Sequence, residues 1–216
     1  MSEKRKIKIE KTASYFVHGK DITKAKRVWF VLHGYGQLAE FFIRSFTHLD
    51  PSENFVIAPE GIHRFYLEGF SGRVGASWMT KEERLDDIDN YVAYLDQLYR
   101  AMDIPEDAEL ILLGFSQGVA TAMRWLALGN NSEFHRAILW AGSFPHDVKP
   151  EKARTALKDL DVHCVIGTKD PFLTEEHLKR TKEHLAAMKI EAKWHEYEGD
   201  HRIPEKSLIE VITSLS

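Results

Sequence analysis

Cysteine is nearly missing from this chain: Cys164 is the only one in 216 residues. An internal disulfide is thereby excluded, and the composition fits a reducing compartment, so the expected location is the cytoplasm. Positive charge is not in excess either, with 29 Lys and Arg against 33 Asp and Glu for a net charge of −4. A nucleic-acid partner would need a basic face that this balance does not supply. The run Lys4-Arg5-Lys6 reads as a solvated terminal cluster. No uninterrupted apolar stretch is long enough to span a bilayer, and Met1 to Lys6 leads into an Ile/Lys alternation, unlike the apolar region of a signal peptide. Eleven histidines are present, but none forms an HxxxH or HxH pair with a suitable carboxylate. Neither a metal site nor a cofactor is expected.

What is present suits one compact core. With 44% hydrophobic and 29% charged residues, the chain is ample for one domain, taken as residues 1–216, and short for two. Apolar runs alternate with helical patterns, which implies an α/β fold: a mostly parallel central sheet with helices on both faces. Lys6–Glu10 and Tyr15–Val17 are expected to pair antiparallel at the sheet edge. From Glu82 to Met102, apolar residues recur at i, i+3 and i+4, the stripe of a helix packed on the sheet. Asn130-Asn131-Ser132 matches a glycosylation acceptor pattern and reads here as a plain loop.

The chemistry concentrates around Gly114-Phe115-Ser116-Gln117-Gly118. Leu110–Leu113 ahead of it is a buried strand by pattern, and Val119–Leu128 behind it has helical spacing, so the motif turns a strand sharply into a helix. Such a turn strains Ser116 and exposes its hydroxyl, while Gly114 and Gly118 remove side chains that would collide. A helix N-cap is the structural alternative for Ser116. A nucleophilic serine of this architecture needs an acid and then a histidine, each in a loop after a strand. Asp170 follows the apolar run Val162–Ile166, and His201 follows the alternating segment Ala192–Tyr197. An ordinary turn aspartate is the alternative at 170, with Glu175 or Glu176 as replacement acids that read better as first-turn helix residues. His195 and His184 are the rivals of His201, one inside a strand and the other inside a helix of roughly Glu175–Met188. Cys164 lies mid-strand and reads as a buried structural thiol. The apolar strand Val28–Leu32 runs into His33-Gly34-Tyr35-Gly36-Gln37. Backbone N–H groups of Tyr35 and Gln117 are the expected donors to an oxyanion, with His33 bracing the loop.

These residues resemble the phospholipase/carboxylesterase group of α/β-hydrolases, which includes acyl-protein thioesterases and small bacterial carboxylesterases. The likeness rests on His33-Gly34-Tyr35-Gly36, Ser77-Trp78, Gly114–Gly118, Gly167-Thr168-Lys169-Asp170-Pro171 and Gly199-Asp200-His201, spanning about residues 28 to 204. It implies Ser116, Asp170 and His201 as nucleophile, acid and base, and Tyr35 and Gln117 as oxyanion donors. Tyr35 and Gln37 stand where the resembled pattern has Leu and Asp, Met79 where it has Phe, and Val119 where it has a third glycine. These departures fall on the pocket wall. Residues 141 to 161 leave little room for a large lid before the acid loop.

The expected reaction is hydrolysis of a carboxylic ester or thioester of a small acyl substrate through an acyl-enzyme on Ser116. A lysophospholipase or acyl-protein thioesterase is the alternative, with a peptidase or a non-catalytic binding protein of the same fold behind it. Among loop aromatics, which include Phe65, Tyr66 and Phe70, the acyl-pocket candidates are Trp78, Phe144 and Phe172. A homodimer stays open.

Overall fold

The computed structural model describes residues 1–130 and 133–215, so Asn131 and Ser132 of the acceptor-like pattern lie outside the described residues. Its strands are β1 (Tyr15–His18), β2 (Arg27–Leu32), β3 (Asn54–Pro59), β4 (His63–Tyr66), β5 (Val74–Ser77), β6 (Glu109–Phe115), β7 (Arg136–Trp140), β8 (Asp161–Gly167) and β9 (Ala192–Tyr197). Seven of them form one sheet in the order β1-β3-β2-β6-β7-β8-β9. Only β1 runs antiparallel to its neighbour; β4 and β5 form a separate hairpin.

Successive side chains of a strand face opposite sides, and here the two sides enter two cores. Val28, Phe30 and Leu32 of β2 join one core; Trp29 and Val31 join the other. β6 divides in the same way, with Leu110 and Leu112 on the first side and Ile111, Leu113 and Phe115 on the second. Because both faces are covered, these central strands read in sequence as unbroken apolar runs. Each such side chain contributes roughly 1.5–3 kcal/mol on full burial, so the two cores hold the sheet more than strand propensity does.

The first core is covered by α2 (Arg84–Arg100), α3 (Gln117–Leu128), α4 (Pro150–Leu157) and α5 (Glu175–Ala187); the second lies under α1 (Ala39–Phe42) and α6 (Glu205–Thr213). The chain leaves β2 for β3 on one side and leaves β6 for β7 on the other. This reversal opens a crevice at the carboxyl ends of β2 and β6, where α/β sheets bind ligands.

One expected pairing is corrected. Tyr15–His18 forms the antiparallel edge, but its partner is β3, and Lys6–Glu10 forms no strand. Lys4 and Lys6 pair with Glu83, Lys6 also with Asp86 at the start of α2, and Lys11 donates to the Ile62 carbonyl. Charge draws this segment away from the sheet, leaving Ile7 and Ile9 exposed. Phe65 and Tyr66, expected in an irregular loop, belong to the β4–β5 hairpin. Among the described residues, no helix is long and apolar enough to cross a membrane, and no cluster of three or more His, Cys, Asp or Glu could hold a metal ion.

Candidate active site

β6 ends at Phe115 and α3 begins at Gln117, which leaves a single residue, Ser116, to make the reversal. It does so at φ 54°, ψ −116°, a left-handed backbone conformation that costs a non-glycine residue roughly 1–3 kcal/mol. The surroundings impose it. A Cβ on Gly114 would overlap the Gly118 carbonyl, and one on Gly118 would overlap the Leu32 carbonyl at the end of β2. The Ser116 N–H donates to the Trp140 carbonyl at 2.9 Å, fixing the turn to β7.

The candidate acid lies in the turn after β8. Asp170 is buried; its Oδ1 accepts the Phe172 N–H at 2.9 Å, and its Oδ2 lies 2.7 Å from His201 Nδ1. A carboxylate cannot donate, so His201 Nδ1 carries the proton and Nε2 is left to accept the Ser116 hydroxyl at 2.9 Å. Ser116, His201 and Asp170 therefore form one hydrogen-bonded line. Of the rivals, His195 is engaged with His163 at 2.8 Å, and His184 faces a cavity with Phe144. Burial pushes the Cys164 thiol up to about 12, so it stays protonated.

The loop carrying His201 is held by residues whose only mark in the sequence is a tyrosine at the end of a strand. The Tyr197 hydroxyl lies 2.6 Å from the Asp200 carbonyl and 2.7 Å from that of Arg202, one on each side of His201. Trp140 Nε1 also donates to the Arg202 carbonyl, at 3.0 Å. Phe115 packs on the imidazole from one side and Phe172 meets it edge-on at 4.8 Å.

The turn after β2 is equally constrained. His33 is fully buried, with Nδ1 donating to the Gly34 carbonyl at 2.8 Å and Nε2 accepting the Gly61 N–H at 2.9 Å. Burial lowers its pKa from 6.5, which favours the neutral ring this arrangement needs. Gln37 Oε1 accepts the Gly34 N–H at 2.8 Å. Gly36 and Gln37 pair with Ala76 of β5, which locks the turn to the hairpin. Gln117 bridges to the same region, where its side chain takes the Trp78 N–H at 3.2 Å and donates to the Met79 carbonyl at 3.0 Å. Among the described residues, no partner occupies the N–H of Tyr35 or of Gln117.

The three aromatic candidates separate. Phe172 is 65% exposed beside His201. Trp78 is fully buried, packed at a tilt against His33 and donating Nε1 to the His33 carbonyl at 2.9 Å, so it lies beneath the site and not in its wall. Phe144 is buried in the core under α3 and α4, where it edges a cavity of about 70 Å³ with Met123 and Met188.

A central, mostly parallel sheet that carries a serine at a strand-to-helix turn, with the acid and the histidine in the loops after its last two strands, is the architecture of α/β-hydrolases. Residues 15–216 match the Phospholipase/Carboxylesterase family, and the chain belongs to that family, which makes it a hydrolase of carboxylesterase type. Maize (Zea mays) acyl-protein thioesterase 2 is similar in structure at 20% identity, with TM-score 0.72, covering 94% of this chain and 98% of its own. Esterase PE8 is similar at 22% identity and TM-score 0.69, covering 94% and 97%. A phospholipase/carboxylesterase from Dyadobacter fermentans follows at 18% and 0.66, covering 94% and 96%. At these identities the likeness is one of fold. No curated protein matches the chain.

Proposed function

We propose that this protein is a serine esterase that cleaves carboxylic ester or thioester bonds of small acyl substrates through an acyl-enzyme on Ser116. The observation that carries the reading is the unbroken line from Ser116 Oγ through His201 to the buried Asp170. As Oγ attacks the acyl carbonyl carbon, its proton passes to His201 Nε2, and Asp170 holds the tautomer and stabilises the imidazolium. The oxyanion that forms is met by the free N–H groups of Tyr35 and Gln117, the latter at the positive end of α3; one such donor is worth about 10²–10³ in turnover. The tetrahedral adduct collapses when the bond to the leaving group breaks and that group takes the proton from Nε2. Water then gives a proton to Nε2 and attacks the acyl carbon, and Ser116 recovers its proton as the acid departs.

The reading includes one domain, a cytoplasmic location, no metal or cofactor, and Phe172 as the wall beside the leaving group. Lysophospholipids and acyl-protein thioesters present the same carbonyl chemistry. The test is hydrolysis of p-nitrophenyl esters of two to sixteen acyl carbons by the wild type and Ser116→Ala. Activity in the wild type that vanishes in the variant is expected. Wild-type activity that survives in Ser116→Ala, or a folded wild type inert toward every ester, overturns the reading.

A further inference from the structure

The ring of Tyr35 has no part in the reaction just described, in which only its backbone acts. It is nonetheless 60% exposed, and with Phe65 it presents a pair of aromatic rings beside the turn that follows β2. It is also held in place. The ring lies 5.0 Å from that of Phe65 in β4, and the turn that carries it is fastened to β5 through Ala76. Gly75 lets the hairpin come so close that a Cβ there would overlap the Gly36 carbonyl, and Leu67 lies over Gly36 from the other side. The backbone that carries Tyr35 is therefore fixed, and its ring rests against Phe65 with the other face open to a ligand.

The place of this pair follows from the sheet order. His201 and Phe172 follow β9 and β8, on one side of Ser116; Tyr35 follows β2 and Phe65 sits in β4, on the other. His201 must protonate the leaving group, so the leaving group lies on the β8–β9 side. The carbonyl oxygen points to the N–H groups of Tyr35 and Gln117, and the acyl substituent, diverging from the leaving group, falls beside the turn after β2 that carries Tyr35. At that position the chain has tyrosine where the pattern it resembles has leucine.

We propose that the Tyr35–Phe65 pair is an acyl-recognition platform that selects esters of flat aromatic acids by stacking, an assignment that rests on the serine-esterase reading above. Aromatic pairs prefer offset-stacked or edge-to-face contact and gain over an aliphatic group of equal size; the gain corresponds to about two- to tenfold in kcat/KM. The test compares p-nitrophenyl phenylacetate with p-nitrophenyl cyclohexylacetate, which share a leaving group and carbon count and differ in flatness. The readout is the ratio of their kcat/KM values, in which a general loss of activity cancels. Wild type and Tyr35→Phe are expected to prefer the phenyl ester, the preference residing in KM, and Tyr35→Leu to lose that preference. A ratio unchanged in Tyr35→Leu, or a wild type that prefers the cyclohexyl ester, overturns the platform while the serine reading stands. Hydrolysis of neither ester by a wild type that cleaves p-nitrophenyl acetate overturns the platform alone, and hydrolysis that survives Ser116→Ala refutes the serine reading and the platform with it.

Discussion

Replacing Tyr197 by phenylalanine removes one oxygen atom and nothing else from the support of His201. The hydroxyl has one proton to share between the Asp200 and Arg202 carbonyls, so only one donated hydrogen bond is lost at a time. Neither carbonyl is orphaned: Asp200 O still accepts the Arg202 N–H at 2.9 Å, and Arg202 O still accepts Trp140 Nε1 at 3.0 Å. The ring keeps its packing on Trp140 at 5.5 Å. The stability cost is therefore that of a single net hydrogen bond, about 1 kcal/mol, or about 2–4 °C in Tm for a chain of this size. The kinetic cost is larger, because His201 must be held to both Ser116 and Asp170 and a misplacement of about 1 Å can cost about 10² in rate. We expect kcat on a p-nitrophenyl ester to fall about tenfold in Tyr197→Phe with KM within about twofold. Thermal unfolding and steady-state kinetics on one preparation separate the two effects. An unchanged kcat would refute the positioning argument; a large Tm loss with unchanged kcat would make the hydroxyl purely structural.

Asp170→Asn is expected to lower kcat by about 10⁴, since an amide donating to Nδ1 leaves Nε2 protonated and unable to accept from serine; a loss under about tenfold would remove Asp170 from its assigned role. Gly118→Ala places a Cβ 2.8 Å from the Leu32 carbonyl carbon and 2.9 Å from His33 O, backbone atoms that cannot swing aside. Denaturant unfolding should show a loss of about 2–3 kcal/mol or more, and wild-type stability would refute so close an approach of α3 to β2. His163 and His195 are hydrogen-bonded in β8 and β9 among Asp161, Lys193 and Arg136, and burial lowers both pKa values from 6.5. The lowered folded values mean that this contribution to stability is fully present above pH 6.5 and is lost as pH falls toward them. The urea midpoint should drop from pH 7.5 to 5.5, at up to about 1.4 kcal/mol per pH unit for each group, and less steeply in His195→Asn; a flat midpoint, or an equal slope in the variant, would contradict the assignment.

The parts of the fold legible in the sequence are those whose local pattern and tertiary place agree. β2, β6 and β8 are apolar throughout because both of their faces are covered, and the stripe expected over Glu82–Met102 is α2 (Arg84–Arg100) with slightly frayed ends. The hairpin of β4 and β5 was not legible, because its strands are four residues each and Gly69 and Gly72 read as loop. Its stability comes from the turn after β2, a contact that has no local signature. Lys6–Glu10 failed in the opposite sense. Its alternation is a strand pattern, but pattern cannot show that Asp86, 80 positions away at the start of α2, competes for Lys6.

The same division runs through the site. Backbone geometry could be read ahead, because Gly-x-Ser-x-Gly between a strand and a helix constrains φ and ψ whatever the rest of the chain does, and Ser116 adopts the strained conformation this demands. Side-chain direction could not. Trp78 and Phe172 are both aromatic residues on irregular segments, yet one is fully buried and the other is largely exposed. The difference lies in their partners. The Trp78 indole N–H has a buried acceptor in the His33 carbonyl and a flat surface in the His33 ring, so burial leaves no donor unmet. Phe172 follows a proline in the turn that presents Asp170, and its own N–H is taken by that carboxylate, which turns the ring outward over His201. On the proposed mechanism, the side of the molecule that holds the histidine in register also sets the surface met by the leaving group. On the proposed reading, substrate choice depends on residues whose backbones are already committed to the site, Tyr35 on one side of Ser116 and Phe172 on the other.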